Sequence, residues 1–291
     1  MRLGTRASAL ALAQTESVLR ALGGGEIVHV TTSGDSGAAG DKSRWVDGIE
    51  RALLAGEIDL AVHSAKDVPG RLAPGLALLA SMPRAASADV LCGCDSLDAL
   101  PGGARVGTAS LRRAAQLRAA RADLKVVELR GNVPTRLAAL DDAERRLDAI
   151  VLARAGLDRL GLSEHVGGEL DERRFVPAPG QGVIAIEGRA DDPRALAAAR
   201  QIGDARALVE LHAERALADA LDADCSTPLG ARARADGDVL TLTAWVGAAD
   251  GSAWLLDEQS GAAAQPQELG GTVAQRLLAA GARELLAGSA A

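Results

Sequence analysis

The sequence predicts an α/β protein with two similar lobes and a small C-terminal α+β domain. Through the first two thirds of the chain, short apolar runs alternate with alanine-, leucine- and arginine-rich stretches of helical spacing, a pattern typical of mostly parallel sheets. From about residue 204, a long helical run precedes two strand-like runs joined at AADG, which predicts an antiparallel hairpin. The 291 residues are enough for two or three domains, each with its own core.

The elements follow in order along the chain. The predicted strands of the lobes are EIVHVTT, IDLAVHS, ARVGTAS, KVVELRG and DAIVLARAG, and the predicted helices are WVDGIERALLAGE, LRRAAQLRAARAD and PTRLAALDDAERR. The last domain is predicted to hold a helix over 204–220, strands VLTLTAWVG and SAWLLDEQSG, and a final helix GTVAQRLLAAGARELL. LGTRASAL at 3–10 and VGTASLRR at 106–113 share a strand end, Gly-Thr and Ala-Ser before a helix, which indicates two related lobes.

Composition argues against several classes of protein. A net charge of −7, one phenylalanine, three tryptophans and no tyrosine do not suit a nucleic-acid surface. No apolar run approaches the ~20 residues of a membrane helix. The N-terminal segment MRLGTRASALALAQ lacks the pattern of a signal peptide, so we expect a cytoplasmic protein.

Metal sites and disulfides are also not indicated. The four histidines are scattered without metal-ligand spacing, so no bound metal is expected. The three cysteines form no CxxC pair. Cys92 and Cys94, alternating in DVLCGC, are interpreted as strand residues. Cys225, in the polar loop LDADCSTPLG, is either a small buried hydrophobe or a loop thiol that acts as nucleophile or covalent anchor.

Four strand-to-helix junctions carry cations beside hydroxyl or amide groups. In open parallel sheets, ligands bind beyond the carboxyl ends of the strands, near free N–H groups of helices. Guanidinium groups match carboxylates and phosphates with two parallel hydrogen bonds, so four such junctions favour a ligand with several anionic groups. The alternative is that the polar residues are helix caps and the arginines are solvated. The junction residues are Thr5, Arg6 and Ser8; His63, Ser64, Lys66 and Asp67; Thr108, Ser110, Arg112 and Arg113; and Arg130, Asn132 and Arg136.

Asp67 is the one acid among these junction residues. One interpretation is a salt bridge to Lys66 or to an arginine. The other is a carboxylate that stabilises a positive charge developing on a substrate or that moves a proton. A protein that only binds anions has little use for it.

Seven segments resemble those of the hydroxymethylbilane synthase family, also called the porphobilinogen deaminases. They occur in the family's order from residue 2 to near the C-terminus. The resemblance implies two lobes like those of type II periplasmic binding proteins and a third domain: lobe 1 at 1–84 and 181–202, lobe 2 at 85–180, and a cysteine-bearing domain at 203–291. The segments are TRASALALAQ, AVHSAKDVP, GTASLRRAAQL, LRGNVPTRL, LARAGLDRLGL, PAPGQGVIAIE and DCSTPLGA.

This resemblance also implies a reaction. Four porphobilinogen molecules are joined head to tail with loss of ammonia at each step, and water then frees the linear tetrapyrrole hydroxymethylbilane. The chain grows on a dipyrromethane cofactor that a thioether holds to a cysteine, which is Cys225 here. We expect a monomer with porphobilinogen as substrate and with no nucleic-acid or membrane partner.

Site residues are carried over by position in the matching segments. Asp67 is the catalytic residue, expected to hold pyrrole N–H groups and to stabilise the cation left when ammonia departs. The cofactor-binding residues are Cys225, Lys66, Ser64, Thr108, Ser110, Arg112, Arg113, Arg130 and Asn132. The substrate-binding residues are Arg6, Ser8, Arg136, Arg159, Gln181 and Lys42.

The segment after TTSGD departs from the family pattern. Lys42 aligns with a first family lysine, Trp45 stands where a phenylalanine is usual, and Asp47 replaces a second lysine. Ala109 replaces a usual serine. Two other functions stay open from the residues alone: a non-catalytic two-lobe anion-binding protein, and a thiol-dependent acyltransferase using Cys225, for which no histidine lies in a recognisable partner motif.

Overall fold

The first lobe is built on a five-stranded mixed sheet, in a computed structural model that describes residues 1–34, 43, 46–224 and 227–287. Its first three strands in spatial order are parallel, and the fourth is antiparallel to both of its neighbours. The strands in spatial order are β2 (Glu26–His29), β1 (Arg2–Thr5), β3 (Leu60–Ser64), β10 (Ile184–Arg189) and β4 (Leu76–Ser81). The helices of this part are α1 (Ala9–Ala21), α2 (Asp47–Leu54) and α6 (Pro193–Ile202).

The second lobe repeats this arrangement. Three parallel strands are again followed by one strand antiparallel to its neighbours. In spatial order the strands are β7 (Lys125–Val127), β6 (Arg105–Gly107), β8 (Ala149–Ala153), β5 (Asp89–Cys92) and β9 (Gly168–Glu169). The helices are α3 (Leu111–Ala120), α4 (Val133–Ala138) and α5 (Arg154–Arg159). β1 and β6 hold the same place in the two sheets, which agrees with the relation predicted from the LGTRASAL and VGTASLRR segments.

Both lobe sheets are buried on both faces. In β8, Val151 belongs to one apolar cluster, and its neighbours Ile150 and Leu152 belong to another. Because successive strand residues point to opposite faces, helices or loops must cover each side. This explains why the strand sequences are continuous apolar runs rather than alternating ones.

The third domain packs two long helices against one face of an antiparallel sheet. The hairpin predicted at AADG is confirmed, with Val246 opposite Leu255. The predicted final helix is instead two helices, since Gly281 adopts a φ of +100° between them, a conformation that interrupts helical geometry. The elements are α7 (Ala205–Ala220), β11 (Leu229–Asp236), β12 (Val239–Gly247), β13 (Trp254–Ala262), α8 (Pro266–Ala279) and α9 (Ala282–Ala287).

One predicted helix is shorter than expected. The segment PTRLAALDDAERR forms helix only to Ala138, and the Asp142 carboxylate then accepts a hydrogen bond from the Glu144 N–H at 3.0 Å. Such a local side-chain contact competes with helical hydrogen bonds. Arg146 follows with a φ of +48°.

The predicted fold class, two α/β lobes and a small C-terminal α+β domain, is confirmed. The three sheets lie inside the predicted ranges of the three domains, while the domain boundaries themselves stay a prediction. Among the described residues, no helix has the length and apolar character to cross a membrane.

Candidate active site

Two adjoining cavities lie beyond the carboxyl ends of the strands. The first is lined by residues of both lobes, among them Lys66 and Arg136. The second is lined by residues that follow β1 and β3, among them Arg6 and Asp67. Leu10, Gln14 and Ser64 line both. The junction residues grouped from the sequence therefore meet at one cleft.

A single turn carries Lys66 and Asp67 into this cleft. β3 ends at Ser64, and a 3-10 turn over Ala65–Asp67 follows directly. The Ala65 N–H donates to the Val183 carbonyl at 3.0 Å, which ties the turn to the segment entering β10. Lys66 faces the first cavity and the exposed Asp67 the second.

Neither Lys66 nor Asp67 has a hydrogen bond or ion pair with another residue that the structure describes. Burial lowers the pKa of Lys66 to about 8, an effect that Asp67 opposes and that Arg113 reinforces. Asp67 is also the one carboxylate among the described residues that line the two cavities. The salt bridge considered from the sequence is therefore absent from the described residues.

Gln14 lines both cavities. It is 2% exposed, and its side-chain amide exchanges two hydrogen bonds with the Ser64 hydroxyl, at 2.9 and 3.1 Å. Gln14 is not among the site residues predicted from the sequence. It lies four residues after Leu10 and four before Val18, so a polar side chain interrupts the apolar stripe of α1, and that is the pattern that could have identified it.

The second lobe contributes Arg136 and Arg159 to the first cavity. The Arg136 Nε is buried with no hydrogen-bond partner among the described residues, and burial, with Arg113 nearby, lowers the pKa of its guanidinium. Arg159 donates to the Gly182 carbonyl at 2.7 Å, and burial lowers its pKa as well. Arg136 therefore keeps a buried donor that no acceptor in the described chain satisfies.

Arg112 and Arg113 are held by a buried acid. Both pair with the Asp89 carboxylate at 2.8 Å, and Gln181 Nε2 donates to the same carboxylate at 2.8 Å. Arg113 and Gln181 still line the first cavity, whereas Arg112 turns toward Gln116 and the Val176 carbonyl. Asp89 was not selected from the sequence, because nothing in the strand DVLC marks its side chain as the partner of two arginines.

Three of the remaining junction residues cap helices. Ser8, Ser110 and Asn132 each accept a hydrogen bond from the first turn of the helix that follows, as the alternative interpretation proposed. Ser8 and Arg6 also line the second cavity. Thr108 is buried and accepts from the Ser110 N–H at 3.2 Å.

Arg130 and Asn132 are exposed, and Arg130 pairs with Glu128 at 2.6 Å. Neither belongs to the described lining of the cavities.

Lys42, Trp45 and Cys225 lie outside the described residues. Asp47, which replaces a family lysine, accepts hydrogen bonds from the Ser33 N–H at 3.1 Å and the Gly48 N–H at 2.7 Å. At this position the chain therefore has an acid that ties the first residue of α2 to Ser33. No group of three or more metal-ligating side chains is found within the described part of the chain.

A buried ion pair and a buried hydrogen bond attach the third domain to the two segments that cross between the lobes. Glu214 of α7 accepts from Arg84 at 2.6 Å and from the Gly180 N–H at 2.6 Å. Glu210 accepts from the same Arg84 at 3.4 Å. These contacts place α7 directly behind the residues that line the first cavity.

Comparison with known proteins assigns the whole chain to one family. The family model for the "porphobilinogen deaminase, dipyromethane cofactor binding domain" matches residues 1–197, and that for the "porphobilinogen deaminase, C-terminal domain" matches residues 208–279. A curated porphobilinogen deaminase from Roseiflexus sp. (strain RS-1) is 47% identical over 98% of each chain. One from Xanthomonas oryzae is 47% identical over 99% of this chain and 98% of its own, and one from Roseiflexus castenholzii is 44% identical over 99% of both. The chain therefore belongs to the porphobilinogen deaminase family.

Proposed function

We propose that this protein is a hydroxymethylbilane synthase. It joins four porphobilinogen molecules head to tail with release of ammonia, on a dipyrromethane primer bound to Cys225, and then hydrolyses the product to hydroxymethylbilane. The family membership supports this reaction over the anion-binding and acyltransferase alternatives. The observation that carries the site assignment is a cavity with cations from both lobes beside one exposed carboxylate, Asp67.

The cavity cations suit a ligand rich in carboxylates. Each porphobilinogen brings an acetate and a propionate. Lys66 and Arg136 have no carboxylate partner among the described residues, and the buried Arg136 Nε lacks an acceptor. Charge-assisted hydrogen bonds contribute about 1.5–3 kcal/mol each. These donors suit both the substrate and a dipyrromethane group, because both ligands carry the same acetate and propionate side chains.

Several other residues would support the same carboxylates. When bound, the dipyrromethane supplies the pyrrole carbon to which the first substrate unit is joined. Around it, Ser64, Arg113 and Gln181 line the first cavity, and Arg6 and Ser8 line the second. Thr108, Ser110, Arg112, Arg130, Asn132 and Lys42 remain part of the proposal by family resemblance.

Asp67 is proposed as the catalytic residue. Departure of ammonia leaves positive charge on the substrate ring, and a fixed carboxylate nearby lowers the free energy of that charged state. The same carboxylate can accept hydrogen bonds from pyrrole N–H groups. Asp67 suits both roles because it faces the cleft and no other residue that the structure describes occupies its oxygens.

We also propose a cellular location, an oligomeric state and the absence of macromolecular partners. We expect a cytoplasmic monomer whose reaction involves no nucleic acid or membrane. The negative net charge supports the absence of a nucleic-acid partner. Sedimentation of the purified protein tests the oligomeric state, and cell fractionation tests the location.

Intact-mass measurement of the purified protein tests the proposed function. The expected result is a mass above that of the polypeptide by one dipyrromethane. When substrate is added, each further step is expected to equal one porphobilinogen less the ammonia that is released. Cys225→Ser is expected to have the bare mass, while Cys94→Ser, at a half-buried cysteine elsewhere, keeps the increment. A bare polypeptide mass in the untreated wild type contradicts the attachment at Cys225.

A further inference from the structure

Helix α7 of the third domain supports the turn that carries Asp67. Leu211 of α7 packs in one apolar cluster with Ala65 and Val183, at the start of that turn. One helical turn further on, Arg215 reaches the segment 68–70 directly after Asp67. Its guanidinium donates to the carbonyls of Val68, Pro69 and Gly70, at 3.5, 2.7 and 2.8 Å.

The opposite side of the turn is held by the same helix through Glu214. The Glu214 carboxylate accepts the Gly180 N–H at 2.6 Å. Gly180 lies so close to the turn that a Cβ there would be 3.0 Å from the Lys66 nitrogen. The turn is therefore enclosed between the segment at Gly180 and the side chains of Leu211 and Arg215.

Arg215 binds backbone rather than a carboxylate. Burial lowers the pKa of its guanidinium, an effect that Glu187 and Asp219 partly oppose. Within the described part of the chain, its hydrogen bonds all go to the three carbonyls. A planar guanidinium fixes the direction of the groups that it binds. Its position therefore determines the backbone path immediately after Asp67.

We infer that Arg215 is a positioning residue that fixes the Asp67 carboxylate relative to the third domain. α7 ends at Ala220, five residues before Cys225. The helix that supports the turn carrying Asp67 thus leads, at its C-terminal end, toward Cys225, the proposed site of cofactor attachment. This inference rests on the proposed function, in which Asp67 acts on a chain attached to Cys225.

The first test replaces the guanidinium and separates turnover from binding. Arg215→Gln is expected to keep the cofactor mass, to lower kcat about 10- to 100-fold, since a displacement near 1 Å can cost about 100-fold, and to change KM less than about threefold, since the carboxylate-binding cations lie elsewhere. Rates are divided by the amount of cofactor-loaded protein, and thermal unfolding verifies folding. A kcat equal to that of the wild type overturns the inference.

Two further variants separate positioning from general loosening of the interface. Arg215→Lys keeps the charge and can reach one or two carbonyls, so kcat is expected between those of Arg215→Gln and the wild type. Arg206→Gln is the matched control: it removes an exposed guanidinium of the same helix that pairs with Glu210 at 3.3 Å, and kcat is expected to stay within about twofold of the wild type. An equal loss of kcat in Arg206→Gln overturns the positioning role of the Arg215 guanidinium.

A double variant tests whether Arg215 acts through Asp67. In an Asp67→Asn background, Arg215→Gln is expected to reduce the rate of the first substrate addition, followed by intact mass, less than about twofold further. If the rate reductions of the two single variants multiply in the double variant, the two residues act independently and the inference is contradicted. Failure of the proposed function looks different, because the wild type itself would then neither release ammonia nor carry the cofactor mass.

Discussion

Two groups of cations at the cleft differ in whether an acid neutralises them. Arg112 and Arg113 share the buried Asp89 carboxylate, whereas Lys66 and Arg136 have no acidic partner among the described residues. All four come from strand-to-helix junctions of the same type. Position at a strand end thus brings a cation to the cleft, but pairing with an acid decides whether its charge is available to a ligand.

The electrostatics of the two groups follow from this difference. Burial alone would raise the pKa of Asp89, but Arg112 and Arg113 hold it well below its usual range. Asp89 therefore stays ionised and compensates both guanidinium groups. Lys66 forms no ion pair within the described chain, and although Asp67 favours its charge, burial brings its pKa down to about 8. Binding a carboxylate would therefore stabilise its charged form.

The largest expected effect comes from breaking the Asp89 cluster. Asp89→Asn leaves two buried guanidinium groups without their counter-charge, and we expect a loss of about 3–5 kcal/mol in the free energy of unfolding. Urea titration measures it. Asp67→Asn serves as the control, since an exposed carboxylate without a described partner should change stability by less than about 0.5 kcal/mol. Equal stability of the two variants would contradict the division into two groups.

Removal of an unneutralised cation should affect binding instead. Arg136→Leu is expected to raise KM about 10- to 150-fold, which corresponds to the roughly 1.5–3 kcal/mol of one charge-assisted hydrogen bond. The free energy of unfolding should not fall, because the lowered pKa shows that the folded state disfavours this charge.

Steady-state kinetics and urea titration measure the two quantities for Arg136→Leu. The control is Arg145→Leu, at an exposed pair with Asp142 in the same lobe, which should leave KM unchanged. A wild-type KM in Arg136→Leu removes this residue from the site.

The pH dependence of KM should report the state of Lys66. Below about pH 8 the ammonium is present and can bind a carboxylate, and above it the charge is lost, so KM is expected to rise by up to about tenfold per pH unit on the alkaline side. Lys66→Arg keeps its charge throughout and should remove this rise between pH 7 and 9. An unchanged alkaline limb in Lys66→Arg would assign the titration to another group.

The pair of Arg130 and Glu128 falls between the two groups and gives the smallest effect. Arg130 is 78% exposed and bonds Glu128 at 2.6 Å, so Glu128→Gln should change the free energy of unfolding by less than about 1 kcal/mol. If Arg130 binds substrate, release from Glu128 should lower KM by up to about threefold. A KM in Glu128→Gln equal to that of the wild type would indicate that Arg130 makes no contact with the substrate.

Much of the fold could be predicted because its strands have local patterns. The two lobes, the C-terminal hairpin and the helix over 204–220 all follow from periodicity, and the last begins one residue after its Asp204 cap. β10 could not be placed from its own residues, since IAIEGR returns from beyond the second lobe to pair antiparallel with β3 and β4. Strand neighbours that are distant in sequence depend on packing of the whole chain.

The site could likewise be predicted where it depends on local patterns, but not where it depends on contacts between distant residues. Junction residues such as Lys66, Asp67 and Arg136 meet at the cleft because strand ends share one edge of a sheet. The pairing of Arg113 with Asp89 spans 24 residues, and that of Gln181 with Asp89 spans 92. No local pattern encodes which cations such an acid will neutralise, so the sequence grouped Arg112 with Arg136.

Turnover of the Asp67→Asn protein, counted per cofactor-loaded molecule, tests the role of the lone cleft carboxylate most directly. The predicted result is a full cofactor mass, an unfolding midpoint close to that of the wild type, and ammonia release slowed about 100-fold or more. Ammonia release at the wild-type rate, from protein that carries the same cofactor mass, would contradict a catalytic role for Asp67.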